Sequence, residues 1–172
     1  MRIREPSDPL VDIIAIEVPL RNRVQAFDKT DLINFDKLSF GEQVYFIGYP
    51  LWDIKTLPEY VKRPILRHGI ISYKSSDTLI IGNDTLGSEL FLIDGFAWPG
   101  NSGSPVMVRM SPYEGLQGMY SKRGVVGIIF KIATFRPTRQ DTLKSNEINS
   151  GLSIALPSDR IHELLNMFNI KP

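Results

Sequence analysis

At 172 residues, 42% of them hydrophobic, the chain is long enough for one ordinary domain or two small ones with a buried core. Twenty Lys and Arg stand against 19 Asp and Glu, a net charge of +1. No overall field therefore draws the molecule to nucleic acid or to a membrane surface, and any partner must be recognised by a local site. The chain has no cysteine and only two histidines, which excludes disulfides, thiolate chemistry and the usual zinc spacings.

The first ten residues, MRIREPSDPL, hold no apolar core of signal-peptide length, and nowhere is there a run of about 18 apolar residues. Short runs rich in Val, Ile, Phe and Tyr then recur between clusters of Gly, Pro, Asn and Asp, the pattern of an all-β sandwich or barrel. Strands are expected at 12–18 (DIIAIEV), 23–28, 43–49 (QVYFIGY), 63–74, 78–82, 89–94, 104–110, 124–132 and 150–156. The polar connector DKTDLINFDKLSFGE follows the second strand and reads either as a sub-domain boundary or as a surface loop. Two longer stretches, PLWDIKTLPEYVKR and TFRPTRQDTLKSNEINS, read as long loops, which tend to be functional or mobile. The chain then changes period. In PSDRIHELLNMFN, Ile161, Leu164, Leu165 and Phe168 form an i, i+3, i+4, i+7 stripe, with Ser158 as the expected N-cap and Asp159 in the first turn. One amphipathic C-terminal helix should lie on the barrel.

Within this all-β context, WPGNSGSPVMV places Ser102 between Gly100 and Gly103. The run is either a tight turn or a nucleophile loop. Acyl transfer needs a hydroxyl beside a base, and two backbone N–H groups aimed at the oxygen that becomes negative. Gly100 permits backbone angles through which its own N–H and that of Ser102 can converge, and Gly103 leaves room for a substrate backbone. The G-x-S-x-G elbow does not fit, because position 104 is serine and a strand, not a helix, follows.

PGNSGSPV resembles the nucleophile loop of trypsin-like serine peptidases, particularly the bacterial branches that include glutamyl endopeptidases and high-temperature-requirement proteases. Four further segments are similar to that family in order and rough spacing: VDIIAIEV to its Asp-bearing strand, LSFGEQVYFIGYP to the opening strand of its second barrel, ILRHGIIS to the strand after it, and GLSIALPSDRIHELL to its last strand and terminal helix. The resemblance spans residues 12–168. It implies a double β-barrel with the first barrel truncated to about two strands, the second complete and a C-terminal α-helix, divided into residues 1–36 and 37–172. It assigns Ser102 as nucleophile, Gly100 and Ser102 as the oxyanion pair, and Asp12 as the acid that orients the base. Asp12 also suits an ordinary strand entry. Phe96, six residues before the serine, would form the floor of a specificity pocket, or else core packing; Gly127, Ile128, Gly151 and Ser153 would form its walls. No cofactor is implied.

In that family the base is a histidine that precedes the Asp, and no histidine stands among the first 11 residues. His68 heads a second-barrel strand and His162 flanks the helix stripe, neither in a catalytic place. The resemblance thus implies a chain that lacks the histidine-bearing part of the family's first barrel. The expected function is serine endopeptidase chemistry on a peptide or protein substrate, inactive in this chain alone. The alternative is a pseudo-peptidase that binds extended peptides without cutting them. Apolar residues such as Ile13, Ile14, Ile16 and Val18, left with too few partner strands, are expected to make the chain self-associate.

Overall fold

Alternation is clearest in QVYFIG, where Val44 and Phe46 are fully buried while Gln43 faces solvent, the signature of a strand with one face on a core. A computed structural model describes residues 2–19, 26–49, 64–81, 84–86, 89–108, 124–135 and 148–168. In chain order its strands are β1 (Ile3–Arg4), β2 (Ala15–Ile16), β3 (Gln43–Gly48), β4 (Ile65–Ser75), β5 (Ile80–Ile81), β6 (Asp84–Thr85), β7 (Leu90–Asp94), β8 (Pro105–Val108), β9 (Gly124–Phe135) and β10 (Ile148–Pro157); helix α1 (Ser158–Met167) follows. Six of them close into an antiparallel barrel in the order β10-β7-β4-β3-β8-β9. The architecture is all-β: one complete barrel, two short paired strands near the N-terminus, and a helix at the other end.

The barrel interior is filled by Val44, Phe46, Ile71, Phe91, Ile93, Val106, Val126, Ile129 and Ala155. A second apolar cluster covers the outside of the wall, where Leu90, Ala133, Ile154 and Leu156 meet Val11 and Leu86. Strands β7, β9 and β10 are therefore buried on both faces. That explains why LFLI, GVVGIIFKIA and LSIAL read as nearly continuous apolar runs instead of alternating ones. Leu32 bridges in parallel to Val125, and Ile33 and Phe35 pack on the interior core, so the connector is laid against the barrel.

Several expected elements shift. The strand at 12–18 shrinks to Ala15–Ile16, paired with a strand at Ile3–Arg4 that carries no readable pattern. Of the run expected at 78–82, Ile80–Ile81 is extended and pairs with Asp84–Thr85, while residues 78 and 79 are not in a strand and 82 lies outside the described residues. Residues 26–28 are not a strand; 20–25, with most of both long loops, lie outside the described residues. Ser158 does not cap α1. Pro157 occupies the cap position, and Ser158 is the first helical residue, with its hydroxyl donating to the carbonyl of Ile33. The bond made inside the protein, to the connector, replaces the one the local pattern suggests. Asp159 does lie in the first turn, and its carboxylate accepts the Phe35 amide at 2.7 Å, a second tie to the connector. No helix among the described residues is long and apolar enough to cross a membrane.

Candidate active site

The segment between β7 and β8 is built as two consecutive tight turns. The Asn101 amide donates to Trp98 O at 2.9 Å, and the Ser104 amide donates to Asn101 O at 2.9 Å. Pro99 and Gly100 are the central residues of the first turn, Ser102 and Gly103 of the second. Gly100 has φ of +92° and Gly103 +83°, values that fit the third position of type II turns and that a side chain would resist. WPGN and NSGS thus encode the same turn twice, with Asn101 as the shared corner.

The second turn is fastened to β9. Gly103 N–H donates to Ile129 O at 2.8 Å, and Ile129 N–H returns a bond to Ser104 O at 2.9 Å. Ser102, exposed on this loop, donates its hydroxyl to Phe130 O at 3.3 Å. Neither the Gly100 N–H nor the Ser102 N–H is donated to an acceptor among the described residues. Outside Gly103 there is open space: a Cβ built there meets nothing within 4 Å. The loop therefore presents a hydroxyl, two undonated amides and an unobstructed approach at one short stretch of backbone.

The base of the loop is laced to β10. Ser153, fully buried, donates to Gly95 O at 2.6 Å and accepts the Ala97 amide at 3.2 Å. Asn149 Nδ2 donates to Ala97 O at 2.9 Å, its Oδ1 accepts the Gly151 amide at 2.9 Å, and Gly151 O accepts the Gly95 amide at 3.2 Å. Ser153 thus holds the loop from below, with its hydroxyl fully engaged. Gly151, at φ +86°, faces the ring of Phe96, which is 44% exposed and lies 5.5 Å from the ring of Trp98. Phe96 is a surface ring beside the serine loop and is no part of the core. Gly127 is buried in the barrel wall, where a Cβ would fall 2.2 Å from Leu156 O and 2.8 Å from the Phe91 ring; close packing alone accounts for glycine there. Ile128, next to it, is half-buried and pairs with Pro105 and Leu156.

Asp12 is exposed, with no hydrogen bond among the described residues. Its neighbours Val11 and Ile13 are anchored in the outer apolar cluster that also contains Phe130, the residue whose carbonyl holds the Ser102 hydroxyl. The structure thus brings the Asp12 segment to the wall behind the serine and makes no bond between Asp12 and Ser102. His68 projects from the outer face of β4 and stacks against Tyr45 at 5.4 Å; His162 is half-buried on α1. Neither is bonded to Ser102, and among the described residues no group of His, Cys, Asp or Glu gathers as a metal site.

Sequence reasoning passed over Asn101, Asn149 and Trp98. Asn101 lies inside the motif and was hidden by the serine beside it. Asn149 is one of several polar residues interrupting an apolar strand in NSGLS, which is the trace left by a strand that supports a loop through side-chain bonds.

No protein-family model matches the chain, and no curated protein matches it. Among solved structures, the chain is similar to the HtrA-type protease AlgW with a decapeptide, at 19% identity and a TM-score of 0.49, over 80% of this chain and 32% of that one. It is similar also to a variant form of AlgW with a decapeptide, at 19% identity and a TM-score of 0.48, over the same shares. The chain thus spans about a third of the length of those proteases.

Proposed function

We propose that the loop from Trp98 to Ser104 is the nucleophile loop of a serine endopeptidase of the trypsin-like kind, and that Ser102 is its nucleophile. The observation that carries this reading is the double turn that leaves the Gly100 and Ser102 amides undonated next to an exposed hydroxyl. As a pair they would take the oxygen of a peptide carbonyl as it becomes negative, and one such donor is typically worth about 10²- to 10³-fold in rate. Attack needs a base that takes the Ser102 proton, and the Ser102 hydroxyl donates instead to Phe130 O. Where an imidazole replaces that carbonyl as acceptor, Ser102 Oγ attacks the peptide carbonyl, the amine leaves with the proton, and water releases the acyl group. Asp12 is the acid that would orient that imidazole. Phe96 and Gly151 would meet the substrate side chain, with Gly127, Ile128 and Ser153 behind them, and an apolar side chain is the expected preference.

In this reading residues 1–36 form the partial first barrel and connector, and 37–172 the second barrel with its helix. Self-association through the apolar N-terminal strands belongs to the same proposal.

A second reading has a specific observation in its favour. Ser102 is bonded to a carbonyl, and neither histidine of the chain is bonded to it. A loop in that state would bind an extended peptide without cutting it, and oxyanion stabilisation with binding would leave roughly 10³- to 10⁴-fold over water.

A fluorophosphonate probe separates the two. The peptidase reading expects covalent labelling that vanishes in Ser102→Ala and speeds up when free imidazole is added as an outside base. Absence of labelling at any imidazole concentration, together with saturable binding of a fluorescent peptide, would replace it by the binding reading.

A further inference from the structure

Asn101 is fully buried. Its Oδ1 accepts the Trp98 amide at 2.9 Å, while its Nδ2 has no hydrogen-bond partner among the described residues. That unpaired donor lies against the end of β3. A Cβ built on Gly48 would stand 2.7 Å from Asn101 Nδ2, 2.0 Å from Ser104 Oγ and 3.3 Å from Ser104 Cβ. Ser104 is buried as well. The residues on either side of the Ser102–Gly103 pair thus both place side chains in the space that a side chain at position 48 would fill. Gly48 sits on the inward face of β3, continuing the row of Val44 and Phe46.

The geometry points to Gly48 as a remote positioning residue of the serine loop: its missing side chain is the socket that sets where Asn101 stands. Asn101 is the corner of both turns, through its own N–H, its carbonyl and its Oδ1. A shift of that corner moves the Gly100 and Ser102 amides together. Buried polar groups without a partner cost stability and are kept where they fix a conformation. The lone Nδ2 of Asn101 is accounted for in that way, as a cost of seating this corner against β3. The inference concerns Ser102 reactivity and so rests on the proposed function, but the seating itself can be read without it.

The test uses the full chain and two readouts. One is the rate of fluorophosphonate labelling at Ser102; the other is amide exchange at Trp98 and Ser104, whose N–H groups are held by Asn101. Gly48→Ala is expected to slow labelling by about a hundredfold, the usual cost of an ångström-scale displacement of a reacting group, with peptide affinity little changed. It should also lower protection of the two amides by about tenfold, while Phe91 and Ile93 in β7 keep theirs. Adding Ser104→Ala removes the 2.0 Å collision and leaves the 2.7 Å approach to Asn101 Nδ2 and a 3.3 Å contact with the Cβ at position 104, so the double variant should recover part of both signals. Asn101→Ala, which introduces no collision, should expose the Trp98 amide with Gly48 intact. A wild-type chain that is not labelled defeats the peptidase reading and leaves the exchange readout to judge the socket. The inference is overturned if folded Gly48→Ala keeps both amides within about twofold of wild type, or if Ser104→Ala recovers nothing. Should Gly48→Ala fail to fold, the double variant and Asn101→Ala decide by the same amides.

Discussion

The hydroxyl of Ser153 makes two bonds across 58 and 56 residues of sequence, to Gly95 O and from Ala97 N–H, in a position with no exposure to solvent. Removing it strands a half-buried carbonyl and a buried amide at the foot of the serine loop. Ser153→Ala should therefore lower stability by about 1 to 3 kcal/mol, the usual cost of unpaired buried groups. Urea unfolding is the measurement: the midpoint should fall with the slope unchanged. A midpoint within error of wild type would mean that these bonds add nothing. At this scale the sequence was partly legible. PGNSG declares its turns, because Pro and Gly at fixed turn positions have few other uses, and Gly100 and Gly103 take positive φ as that pattern requires. Ser153, Asn149 and Asn101 were not legible as supports, since the partner of a buried polar side chain is set by chain segments that fold back from elsewhere.

Among the elements, the barrel strands declare themselves and the N-terminal pair does not. Within the described residues, strands β3, β4, β7, β8, β9 and β10 each fall within a residue or two of an expected run, except where β9 continues to Phe135. Apolar residues that fill a closed barrel must recur on every strand, which is why that signal survives in one sequence. Strand β1 is two residues, Ile3–Arg4, with no alternation to read, and its pairing with β2 is secured by polar bonds. Arg2 holds Glu17 through two bonds of 2.7 Å, and Arg2 and Arg4 both lie over the Phe168 ring at 5.4 Å. The hydrogen bond from Arg2, and then its charge, hold the Glu17 carboxyl below the ordinary glutamate range. A carboxyl lowered in the folded state adds stability above its unfolded pKa and loses it as the pH falls through the folded value. The pairing of β1 with β2 should accordingly loosen on acidification below the ordinary glutamate range. Because both side chains are half exposed, the effect should be small and should fade with salt. Titration of Glu17 by carboxyl NMR checks this: its midpoint should rise in Arg2→Ala and at high salt, and protection of the Glu17 amide, bonded to Arg2 O, should fall over the same acidic range. A midpoint indifferent to Arg2 would refute it.

At the scale of the whole molecule the two ends of the chain differ in how well they bury what they carry. The barrel encloses Val44, Phe46, Ile71 and Ile93 with no exposure at all. The N-terminal strands do the opposite: Ile3, Ile14, Ile16 and Val18 are 45%, 55%, 45% and 59% exposed. Ile16 stands opposite Ile3 in the strand pair, and Ile14 and Val18 flank it two residues away on either side. Each strand of that pair also has its outer edge unpaired among the described residues. An apolar face beside open strand edges is a template for association, and a net charge of +1 puts little repulsion between copies. A second copy offers the same face, so pairing between copies can bury both at once. Sedimentation velocity over a concentration series should show association that strengthens with concentration and persists at high salt, as apolar contact does. Ile14→Lys with Val18→Lys should shift it to monomer and leave the cooperative unfolding of the barrel unchanged, because neither side chain belongs to either core cluster. A wild-type chain that stays monomeric throughout the series would show that this face is covered in some other way, and the two lysines would then change nothing.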